Sequence, residues 1–185
     1  TTADMAFALL MAAARNVVAS DRDTRAGGWT TWSPTGFLGQ DVFGATLGIV
    51  GLGEIGEAMA RRALGFRMRV VYTSRTGKPE AEARFGCRFV GLDELLAQSD
   101  FVSLHVPLNG STRGMIGARE LRLMKTSAIL VNTARGQVVD QGALIAARRD
   151  GVIGGAALDV TDPEPVPLEN PLYTFSNVII TPHIA

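Results

Sequence analysis

From Thr46 onward, short apolar runs alternate with longer stretches in which apolar residues recur at helical spacing. The runs Thr46 to Val50, Arg69 to Thr73, Arg88 to Val90, Phe101 to Leu104, Ala128 to Asn132, Gly155 to Leu158 and Val178 to Ile180 predict strands covered on both faces. Helices are predicted between them at Ile55 to Leu64, Glu80 to Phe85, Leu92 to Gln98, Ala118 to Met124 and Gly142 to Asp150. Such alternation is the signature of an α/β fold with a doubly wound, mostly parallel sheet.

Residues 1–45 stand outside this pattern. A helix is predicted from Thr2 to Ser20, apolar almost all round through Met5, Phe7, Leu9, Leu10, Met11, Val17 and Val18, so burial is expected on more than one side, the second against another domain or subunit. A loop with Gly27, Gly28, Trp29, Trp32, Pro34 and Gly36 follows. No closing helix comes after the last strand and no Met opens the chain, which leads us to expect a piece of a longer protein.

The first strand runs into Gly51-Leu52-Gly53-Glu54-Ile55-Gly56 and then a helix without Pro. This is the dinucleotide fingerprint in its proper context. The first glycine makes a tight turn, the second lets backbone approach a pyrophosphate, and the third brings helix and strand together. The helix N-terminus offers free N–H groups to the phosphates. The core is therefore a Rossmann domain over residues 46–185, led by the helix and loop of residues 1–45.

The tip of the second strand decides which dinucleotide is expected. An NAD enzyme places an acid there, about 20 residues past the fingerprint, to accept bonds from the ribose hydroxyls. Here the tip reads Ser74-Arg75-Thr76, and no carboxylate lies between Glu57 and Glu80. A guanidinium flanked by two hydroxyls suits a 2′-phosphate, so NADP(H) is favoured over NAD(H).

Composition narrows the picture further. The chain has 185 residues, 46% of them hydrophobic, and 18 basic residues balance 18 acidic ones, which fits one large core and argues against nucleic acid as a partner. The apolar run Met5 to Ala14 is about half of the ~20 residues a membrane span needs, so no membrane association is expected. One cysteine, Cys87 in an apolar stretch, fits an inert core thiol and a cytoplasmic setting.

In sheets of this type ligands bind beyond the carboxyl ends of the strands. The last three strands are followed there by Thr133-Ala134-Arg135, by Asp159 to Glu164 and by Thr181-Pro182-His183, which bring an Arg, a Glu and a His to one rim.

With the fingerprint, the segments His105-Val-Pro-Leu, Ile129 to Gly136, Leu158 to Pro165 and Thr181 to Ala185 resemble the D-isomer-specific 2-hydroxyacid dehydrogenase family, closest to its glyoxylate and hydroxypyruvate reductase branch. The resemblance runs along the whole chain but covers only the family's cofactor-binding domain; the substrate domain lies outside it.

The resemblance implies that Arg135 holds the substrate carboxylate, that His183 gives a proton to the 2-oxo group as hydride arrives, and that Glu164 favours the charged imidazole. It places the cofactor against Gly51 to Gly56, Ser74 to Thr76, His105, Val106, Pro107, Thr112, Thr133, Ala134, Arg135, Asp159 and His183, with Asp159 on the nicotinamide carboxamide. His105 is expected to be a hydrogen-bonding residue of the cofactor loop rather than a second base. No metal is expected. A homodimer through the leading helix and the Trp29–Trp32 loop is also implied. Glu54 departs from the family, which often has Arg there, and a carboxylate at that place would repel phosphate unless turned to solvent or to Arg61 or Arg62. Glu164 stands where the formate-oxidising branch has Gln. Two rival readings are an NAD-linked glycerate or phosphoglycerate dehydrogenase and a dinucleotide-sensing module like the family's corepressor relatives.

Overall fold

The computed structural model describes all residues 1–185. Seven parallel strands form one sheet: β1 (Thr46–Val50), β2 (Arg69–Thr73), β3 (Arg88–Phe89), β4 (Phe101–Leu104), β5 (Ile129–Asn132), β6 (Gly155–Leu158) and β7 (Val178–Ile180). Their spatial order is β3-β2-β1-β4-β5-β6-β7, so the winding reverses between β1 and β4. In register, Val50 lies beside Thr73 on one side and Leu104 on the other, which brings the ends of these three strands level.

Helices cover both faces. Helices α1 (Thr2–Ala14), α3 (Glu54–Gly65) and α4 (Pro79–Phe85) lie on one side, and α5 (Leu92–Gln98), α6 (Ala118–Leu123) and α7 (Gln141–Arg149) on the other. Successive strand residues divide between two cores because side chains alternate across a strand. Leu47, Ile49, Phe101 and Val131 join Leu10 and Met59 on the first face, while Val50, Val102 and Leu130 join Leu95, Leu121 and Leu144 on the second. Each fully buried Leu or Ile contributes roughly 1.5–3 kcal/mol.

The leading segment differs from the expected single helix. It breaks at Asn16, in left-handed conformation (φ 54°), into α1 and a second helix, α2 (Val17–Arg25), bent by 62° from the first. Asn tolerates that conformation better than most residues. Its amide nitrogen also donates to the Leu38 carbonyl at 2.9 Å, which ties the corner to the following loop. The apolar face of α1 is satisfied within the chain, since Ala6, Phe7, Leu9 and Leu10 are buried against α3 and the sheet. Val17 and Val18 on α2, with Trp29, Trp32 and Leu38 beyond it, are exposed. No single helix is long and apolar enough to cross a membrane.

Candidate active site

At the reversal between β1 and β4 the departing loops part, leaving an open cleft of about 490 Å³. Gly51, Leu52 and Gly53 form one wall and His105, Val106, Pro107 and Thr112 another, while Ser74, Arg75 and Thr76 close the end at β2. Gly51 has φ +97°, and a Cβ there would meet the His105 carbonyl oxygen at 2.8 Å, so only glycine lets the two loops close up. A Cβ on Gly56 would run into the Gly51 carbonyl oxygen, which explains how α3 approaches β1 so closely. Gly53 begins α3 without a side chain to cap it, so the first amides of the helix keep their donors free for an anion.

Eight of the expected cofactor residues do not line the cleft: Glu54, Ile55, Gly56, Thr133, Ala134, Arg135, Asp159 and His183. Glu54 and Ile55 are exposed on the first turn of α3, where their contribution is confined to backbone N–H groups. Neither arginine offered as a partner reaches Glu54: Arg62 Nε donates to Asp4 at 3.0 Å, and Arg61 lies over the Phe85 ring. Besides Val50, Thr73 and Met115, three further residues not expected from the sequence line the cleft, namely Lys78, Asn109 and Ser111. The position of Lys78 just past Arg75 was the available signal; the other two sit in a turn closed by Asn109 Oδ1, which accepts from the Ser111 amide at 2.9 Å.

His105 belongs to the framework of the cleft. Its Nε2 lies 2.8 Å from the Ser103 hydroxyl, and burial lowers its pKa to about 4, so the ring is neutral near neutral pH.

Arg135, Glu164 and His183 stand on the loops after β5, β6 and β7, which are adjacent strands. His183 Nδ1 lies 2.5 Å from Glu164 Oε1, across 19 residues of chain. That pairing leaves Nε2 as the nitrogen free to exchange a proton. Both side chains are about half exposed, at 45% and 40%. Arg135 is also exposed, with one guanidinium nitrogen on the Ala134 carbonyl at 2.6 Å. Gly136 joins two of the loops, because a Cβ there would strike the Thr161 carbonyl.

Asp159, expected at the nicotinamide, is buried to 1% exposure and holds the chain around His183. It accepts from the Thr181 hydroxyl at 2.5 Å and from the amides of Ile184 and Ala185 at 3.0 and 2.9 Å. Thr133 Oγ1, by contrast, is buried without a partner.

Residues 7–185 match the family model described as the NAD binding domain of D-isomer specific 2-hydroxyacid dehydrogenases. The chain belongs to that family. Glyoxylate reductase of Korarchaeum cryptofilum is 55% identical over 186 residues, covering 100% of this chain and 56% of the relative. Glyoxylate reductase of Pyrococcus furiosus is 52% identical, covering 99% and 55%. Among solved structures, a Thermus thermophilus protein superposes with a TM-score of 0.94 at 51% identity, covering 99% of this chain and 57% of that one. A glyoxylate reductase from Paecilomyes thermophila gives 0.89 at 42% identity, covering 99% and 54%. The chain thus spans little more than half the length of these relatives.

The family's dinucleotide fits the residues present. The glycine turn, the free amides of α3 and the orphaned Thr133 hydroxyl are what such a ligand would use.

Proposed function

We propose that this chain is the cofactor-binding half of an NADPH-dependent reductase of a small 2-oxo acid, of the glyoxylate or hydroxypyruvate reductase type. The observation that carries this reading is the Glu164–His183 pair at 2.5 Å, with Nε2 free, on the same rim as Arg135. NADPH, when bound, supplies the hydride. Arg135 binds the substrate carboxylate, for which a planar guanidinium offers two parallel donors, and so orients the 2-oxo carbon. As C2 gains the hydride, His183 gives the Nε2 proton to the carbonyl oxygen, and a 2-hydroxy acid results. Glu164 holds the ring through Nδ1 and so keeps Nε2 aimed.

Preference for the phosphorylated cofactor is supported by Arg75, which makes no ion pair, and by a cleft lining without Asp or Glu. Exposed Trp29 and Trp32, at 72% and 80%, and exposed Val17, Val18 and Leu38 in the same leading segment support a homodimer through this arm. A cytoplasmic setting agrees with the single buried thiol of Cys87.

The test has two arms. Titration of the chain with NADPH and NADH is expected to show tighter binding of NADPH; tighter NADH binding would overturn the cofactor assignment and favour the NAD-linked rival. Carried to the length of its relatives, the protein is expected to oxidise NADPH in the presence of glyoxylate. Cofactor binding without any turnover of glyoxylate or hydroxypyruvate would instead favour the sensing module.

A further inference from the structure

Past Arg75, the β2–α4 loop carries a second cation whose backbone is fixed and whose side chain is only loosely held. Tyr72, fully buried, accepts the Lys78 amide proton on its hydroxyl at 2.6 Å and donates that hydroxyl to Glu82 at 2.7 Å. Ser74 Oγ donates to the Thr76 carbonyl at 2.6 Å, closing the turn between them. The Cα of Lys78 is thereby anchored at the edge of the cleft that this residue helps to line. Its ammonium lies 3.6 Å from Glu57 Oε1, while Arg84 approaches the other oxygen at 3.8 Å. Both contacts are long for charge-assisted bonds, and every partner is 30% or more exposed, so solvent screens them and they hold weakly. Glu57 also has Arg84 left to it if Lys78 departs.

We infer that Lys78 is the second phosphate-binding cation of this cleft, parked on Glu57 in the free chain and swung onto the ribose 2′-phosphate of the cofactor beside Arg75. The inference rests on the NADP reading above and adds to it a specificity-determining residue with a resident competitor. A phosphate monoester carries nearly two negative charges and three acceptor oxygens, so it outbids one shared carboxylate and can be served by Arg75 and Lys78 together. The long, flexible stem of lysine permits this exchange.

The experiment is a calorimetric titration of the chain with adenosine 2′,5′-bisphosphate and with 5′-AMP, which differ only in the 2′-phosphate. Lys78→Met preserves the backbone bond to Tyr72 and is expected to weaken the bisphosphate about tenfold while leaving 5′-AMP within about twofold. Glu57→Gln removes the competitor and is expected to tighten the bisphosphate several-fold with Lys78 present, and to give no gain in the Lys78→Met background. An unchanged ratio of the two nucleotides in Lys78→Met, or an equal gain from Glu57→Gln in both backgrounds, overturns the role of Lys78. If that happens while the unmutated chain prefers the bisphosphate and Arg75→Ala abolishes the preference, the NADP reading stands and only Lys78 is lost. If the unmutated chain does not distinguish the two nucleotides, both fall.

Discussion

The chain has two histidines, one in each half of its site, and their surroundings oppose each other. His105 at the end of β4 is hydrogen-bonded to Ser103 and kept neutral by burial, with no carboxylate against it. His183 after β7 stands about half in water with Glu164 at 2.5 Å. The first is built as part of a wall, and the second is the proton carrier of the proposed function. The same contrast separates the regions they belong to. The cofactor cleft has its walls fixed by glycine contacts and backbone bonds within this chain, whereas the rim after β5 to β7 offers aligned groups on a single open face. Binding of the cofactor and chemistry on the substrate should therefore be separable by mutation.

The largest expected effect breaks the rim alone. In the protein carried to the length of its relatives, His183→Ala removes the proton donor and is expected to lower kcat by about 10² to 10⁴ while leaving the Kd for NADPH unchanged. Glu164→Gln keeps the shape and removes the charge, so a smaller fall, on the order of tenfold, is expected under the same conditions. Turnover intact in the His183 variant would move the chemistry elsewhere. The 185-residue chain itself should bind NADPH yet reduce 2-oxo acids very slowly, because one open face neither confines the substrate nor excludes water.

A second way to separate the regions is steric. Gly136→Ala places a methyl group against the Thr161 carbonyl, a backbone atom that cannot turn aside. A loss of about 2–3 kcal/mol in stability is expected, together with reduced turnover, since the loops bearing Arg135 and Glu164 are pushed apart. Denaturant midpoints and nucleotide titration on one preparation check both halves of this statement: stability should fall and NADPH affinity should hold.

Arg75→Asp probes the cleft with the opposite sign. It is expected to weaken NADPH by roughly 2 kcal/mol, through a lost charge-assisted contact and added repulsion, and to leave NADH equal or improved. An equal loss for both cofactors would mean that Arg75 supports the loop rather than reading the phosphate.

What the sequence made legible follows from how local each cause is. β1, β2, β4, β6 and β7 have the predicted bounds because each is a short, mostly apolar run, and the glycine fingerprint announced the turn that shapes the cleft. The break at Asn16 was not legible, because the bond from its amide to Leu38 spans 22 residues and the apolar pattern continues through Val17 and Val18. Glu54 read as a hazard to phosphate only because its direction on α3 cannot be deduced from position alone. The approach of Glu164 to His183 followed from the topology, since parallel neighbours send consecutive loops to one edge. The clamp of Asp159 on the residues around His183 depends on side-chain direction and required the structure.

The smallest expected effect tests the wall histidine by acid. Folded, His105 titrates near 4, lowered by burial, whereas an unfolded chain returns it to about 6.5. The unfolded state therefore takes up the proton first as the pH falls. Its contribution to stability is complete above about pH 6.5, declines through the interval down to about 4, and is constant below that. With partial exposure allowed for, the decline attributable to this one group is expected to be about 1–2 kcal/mol. His105→Gln keeps a hydrogen-bonding group for Ser103 without a titrating ring, so the slope of unfolding free energy between pH 6.5 and 4 should be shallower than in the unmutated chain. Parallel slopes would mean that water reaches the ring of His105, and the distinction between a buried wall histidine and an exposed catalytic one would fail at its first member.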